Sequence, residues 1–128
     1  MKAAFVVSDD GGLIGRVAAA AGNGWAGCTL DWATERAVLL RDAESGEFLH
    51  LFVSPTRYDE DDLPFAPRPG VQLPDPRAVT SYLAECHSEQ VFARVARSLA
   101  GLATGNTWVV DADAVWDARN VDPDAVQL

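Results

Sequence analysis

The chain has 128 residues, about half of them apolar, which is enough for one domain with a single core and too many for a disordered sequence. Nineteen Asp and Glu stand against ten Lys and Arg, a formal charge of −9, so the clustered basic surface that a nucleic-acid backbone requires is missing. No apolar run approaches the ~20 residues of a membrane span.

Lys2–Val7 has the character of a first strand, and Asp9-Asp10 interrupts it before a signal-peptide core could develop, which implies a soluble, cytoplasmic protein. Ser8–Gly22 fits two readings. As a helix it begins at Asp9 or Asp10, ends at Gly22, and places Leu13, Ile14, Val17, Ala18 and Ala21 on one face. As a hairpin it turns at Asp9–Gly12. The helix is preferred, although Gly11, Gly12 and Gly15 weaken it. The glycines do not make a phosphate loop, because no Lys follows them and two carboxylates lie beside them.

Asn23–Gly27 reads as a loop and Cys28–Ala33 as a strand, with Trp25 and Trp32 in or at the edge of the core. Ala37–Leu40 and Phe48–Val53 then form a hairpin, with Gly46 supplying the left-handed turn residue. In its second strand Phe48, His50 and Phe52 point one way, and Leu49, Leu51 and Val53 the other. Both faces call for cover, so this strand belongs inside a sheet. Val38, Leu40, Leu49, Leu51, Phe52, Val95, Leu99 and Trp108 are expected to share one buried cluster.

Six of the seven prolines fall between Pro55 and Pro76, which excludes regular structure there and marks a loop over residues 55–76. Asp75-Pro76 has the form of a helix start, and Val79, Tyr82, Leu83 and Cys86 follow at helical spacing. A second stripe, Phe92, Val95, Ala96, Leu99, Leu102 and Ala103, is out of phase with the first, so either a kink or a new helix capped by Ser88 separates them. Thr107–Ala118 reads as a final hairpin turning at Asp111-Ala-Asp113. The order predicts a single α+β domain over residues 1–128, with a mainly antiparallel sheet of about 4–6 strands carrying two or three helices.

No residue set assembles a recognisable active site. His50 lies in an apolar strand and is the first candidate for catalysis, in a small hydrolase or transferase that would use it with an Asp or Cys86. Cys28 and Cys86 read as buried thiols rather than a disulfide or metal motif, and Cys86 and His87 would diverge on a helix. His87, Gln90, Arg94 and Arg97 share a helical face that is either a recognition strip or simply solvated. The run Asp59–Asp62 lacks the alternation of a calcium loop, so no metal or cofactor is expected. Two acidic segments with aromatic neighbours instead suggest a binding surface: Tyr58, Asp59, Glu60, Asp61, Asp62 and Phe65, and then Asp111, Asp113, Trp116 and Asp117.

The C-terminal stretches Trp108-Val-Val-Asp-Ala-Asp-Ala-Val-Trp116 and Val121-Asp-Pro-Asp-Ala-Val126 are similar to endings of several actinobacterial families. Together with small size, acidity and an α+β plan, the chain resembles bacterial immunity proteins. That resemblance implies a protein that neutralises a cognate toxin by binding it, with a basic protein partner and neither nucleic acid nor membrane. An accessory subunit is the remaining alternative.

Overall fold

Strand β1 (Ala3–Ser8) is apolar at successive positions because both of its sides are covered. In the computed structural model, which describes residues 2–59 and 66–128, Ala4 and Val6 join one buried cluster and Phe5 and Val7 another. The other strands are β2 (Cys28–Ala33), β3 (Ala37–Asp42), β4 (Phe48–Val53), β5 (Thr80–Cys86), β6 (Thr107–Val110) and β7 (Val115–Asp117). They form one sheet in the order β2-β3-β4-β5-β1-β6-β7, antiparallel at every pairing. The fold is α+β, with seven strands where four to six are predicted.

Helices α1 (Leu13–Ala21) and α2 (Glu89–Leu102) pack on one side of the sheet. α1 buries Leu13, Ile14, Val17 and Ala21, so the helical reading of this segment holds. Its start is held by Asp10, whose carboxylate accepts from Gly12 N at 2.8 Å, Arg16 Nε at 2.6 Å and Thr104 N at 3.0 Å. Gly22 keeps helical angles, and the left-handed residue is Gly24 at φ 85°. Ser88 caps α2 by accepting from Val91 N at 3.2 Å, and α2 buries Phe92, Val95, Ala96 and Leu99 in the same cluster as Val38, Leu40, Leu49 and Leu51.

The helix predicted from Asp75 is instead a turn followed by β5. Asp75 receives Arg77 N on its carboxylate and Ala78 N on its carbonyl, and the chain then extends between β4 and β1. Tyr82, Ala84 and Cys86 alternate into the helix-side core, a period of two that the helical stripe concealed. Backbone pairing on both sides overrides the local start signal.

Among the described residues, the second side of the sheet is covered at one end only. Phe5, Val7, Val110 and Val115 are buried there with Tyr58, and Val71, Val79, Leu83 and Trp108 pack around them. Tyr58 and Val71, in the described parts of the proline-rich segment, therefore lie on part of the sheet, and Ala66 and Arg68 bond β7 through Val115, which blunts that edge. Trp108 belongs to this second cluster, and Phe52 is half-buried on the same side, so neither joins the helix-side core predicted for it.

Candidate functional site

Two rows of side chains cross the second side of the sheet. One runs Ala37–Phe52–Leu83–Phe5–Val110–Val115, and its far end is the buried cluster just described. The other runs Trp32–Leu39–His50–Glu85–Ala3, in register across five strands. Among the described residues nothing covers the β2–β4 end of this side, where Trp32 is 43% exposed and Phe48 40%. Scattered surface apolar residues need no explanation, whereas adjacent aromatic ones on one sheet face do.

Trp32 reaches this face through a β-bulge. Cys28 and Leu30 point to the helix side, and strict alternation would send Trp32 after them. Leu30 pairs with Leu40 but Trp32 pairs with Leu39, so Asp31 is an extra residue that turns the indole to the other face. There Trp32 meets His50 edge-on at 5.5 Å between ring centroids, and His50 meets Phe52 at 4.6 Å. Arg41 lies over the Phe48 ring at 4.1 Å and pairs with Asp31 at 3.1 Å, so its charge is compensated. Trp32, Leu39, Phe48, His50, Glu85, Cys86 and His87 line an open groove of about 420 Å³. Among the described residues Glu85 is its one carboxylate, and it makes no side-chain hydrogen bond or ion pair with another of them.

The acidic and aromatic residues predicted to bind a partner are largely turned to internal use. Tyr58 is only 3% exposed; its hydroxyl donates to Pro74 O and its backbone N to Ser81 Oγ, so it is a core residue and not a surface anchor. Desolvation by burial raises its phenol pKa, and the carboxylates of Asp59 and Asp75 add to the rise. Asp59 is half-buried and pairs with Arg57 at 3.4 Å. Glu60, Asp61, Asp62 and Phe65 lie outside the described residues.

Asp111 is 2% exposed and accepts four bonds: from Asp113 N and Ala114 N at 2.7 Å, and from Trp116 Nε1 and Gln127 N at 2.9 Å. It closes the last hairpin and fixes the C-terminal segment, while Trp116 is buried beneath Arg68. Asp117 is half-buried and held by Arg119 at 2.6 Å, an interaction that lowers its pKa. Asp113 alone of this group is exposed.

Of the strip predicted on a helical face, His87, which precedes α2, and Gln90 and Arg97 on it are exposed, while both arginines are also tied to the fold. Arg94 donates to Ala26 O and pairs with the buried Asp42, and Arg97 donates twice to Val121 O. Burial raises the thiol pKa of Cys28 and of Cys86, against a lowering pull from Arg94 and from a bond to Ser88 respectively, which disfavours a thiolate at either. His50 is flanked by rings, and no described side chain bonds its nitrogens, so no nucleophile–base pair is assembled around it. Among the described residues the groove offers π faces, aliphatic surface and one carboxylate, groups suited to contact rather than to acid–base chemistry. Compared with known protein families, curated proteins and solved structures, the chain matches none.

Proposed function

We propose that this chain is a protein-binding module of the immunity type, acting in the cytoplasm by occupying a basic partner such as a toxin domain. The observation that carries this reading is the strip of Trp32, Leu39, His50 and Phe48, with Trp32 and Phe48 exposed and Leu39 and His50 half-buried, on a chain of charge −9. Interface energy concentrates in aromatic anchors, and Trp is the residue type most enriched among them. Glu35, Glu44 and Glu47 are exposed in the turns that flank β3 and β4, where carboxylates speed encounter with a basic surface. The same charge repels phosphate backbones and anionic headgroups, so the partner named here is a protein.

The test begins with capture of the partner from the native organism by the tagged protein. The purified partner is then titrated calorimetrically against wild type, Trp32→Ser and Phe48→Ser. Each substitution removes a central aromatic contact and should weaken binding about tenfold or more. The denaturation midpoint should hardly change, since both side chains are substantially exposed. Wild-type affinity in both folded variants would overturn the reading.

A further inference from the structure

We infer that the groove between Trp32, Phe48, His50 and Glu85 receives a cationic side chain, an arginine or lysine, from the partner. This rests on the binding role proposed above and names the chemistry of its central contact. The decisive group is Glu85. It stands opposite His50 in the β4–β5 register, lines the groove and has no cation from another described residue. A purely apolar occupant seated on the strip would strip water from this carboxylate and leave it unpaired, which is costly. An anionic occupant would meet it directly. A guanidinium or ammonium satisfies Glu85 and at the same time lies against the π faces of the lining rings.

The surroundings agree with a cationic occupant. Arg41 over Phe48 at 4.1 Å is an intramolecular instance of a guanidinium resting on this aromatic surface. Because Asp31 compensates Arg41, the local charge still favours an incoming cation. The bulge at Asp31 matters here, since it is what carries the Trp32 ring to the groove. A second copy of the chain is the poorer occupant, because two bodies of charge −9 repel one another.

The experiment uses the intact protein and two probes of nearly equal shape, Nα-acetyl-arginine amide and Nα-acetyl-citrulline amide. Aromatic and indole NMR signals are followed at millimolar probe concentration. The arginine probe should shift Trp32, Phe48 and His50 saturably, and the citrulline probe should bind about tenfold more weakly or not at all. Glu85→Gln should erase the difference while leaving the remaining spectrum that of the folded protein. Equal responses to the two probes, or arginine selectivity surviving in Glu85→Gln, would overturn the inference. So would concentration-dependent self-association that shields Trp32 without any probe. A captured partner that loses affinity on Trp32→Ser but keeps it on Glu85→Gln would sink this inference alone and leave the binding role standing.

Discussion

Deleting Asp31 tests the bulge that builds the aromatic strip. In a regular strand, removal of one residue sends every later side chain to the opposite face. Here Leu30 already pairs with Leu40 and Trp32 with Leu39, so excision of Asp31 leaves both pairs intact and makes the ladder continuous. What is lost is the Asp31–Arg41 contact, at 3.1 and 3.3 Å between partly exposed side chains. Such a pair contributes about 0–1 kcal/mol. Unfolding entropy for a chain of this length is about 0.27 kcal/mol/K near the midpoint, so the melting temperature should fall by no more than about 4 °C. Deleting Leu39 is the control, because its neighbours Val38 and Leu40 are both buried on the helix side and a slip must expose one of them. That deletion should cost about 2–5 kcal/mol or prevent folding. Thermal unfolding by circular dichroism gives the stabilities, and the indole signal of Trp32 reports its exposure. A loss above about 3 kcal/mol on deleting Asp31, a loss on the scale of a core truncation, would refute the bulge assignment. Disappearance of Trp32 from solvent would do the same.

Leu51→Ala and Leu99→Ala, both in the helix-side core, should each lower stability by about 2–5 kcal/mol in chemical denaturation, and a loss under about 1 kcal/mol would contradict the packing. Asp111→Ala should cost about 2–4 kcal/mol, because four N–H donors lose their acceptor together, and fluorescence should report a changed Trp116 environment. Acid sensitivity should centre on Asp10 and Asp42. For Asp10, burial raises the pKa, but the amides of Thr104 and Gly12 and the Arg16 guanidinium outweigh it; for Asp42, Ser45 and then Arg94 lower it. Both folded values lie below the ordinary 3.8, so the stability they confer is complete above the unfolded value and is lost as pH falls through the folded one. Urea titrations between about pH 5 and pH 2 should show a smaller pH dependence in Asp42→Asn than in wild type.

The sequence made some elements plain and hid others for identifiable reasons. The β3–β4 hairpin was legible because alternation and a left-handed glycine agree; Gly46 has φ 76°. α2 was legible from its Ser88 cap and its stripe. β5 was not, because Val79, Tyr82, Leu83 and Cys86 satisfy a helical period as well as a strand, and only pairing with β1 and β4 decides between them. The site was half visible: Phe48, His50 and Phe52 alternate onto one face, but whether that face has cover depends on where the proline-rich segment lies. Trp32 was hidden further, since a bulge leaves no mark in a two-residue period. The acidic residues misled for a local reason. Asp111 and Asp117 each receive the amide N–H two residues on, so carboxylates that look like surface charge are turn closures.

The most direct measurement is cross-saturation NMR from the captured partner to the backbone amide, methyl and aromatic groups of this protein. The account predicts signal loss at Trp32, Leu39, Phe48 and His50, with the buried Tyr58 and Trp116 unaffected. Transfer confined to Asp59, Asp113 and the C-terminal segment, with the strip unchanged, would contradict it.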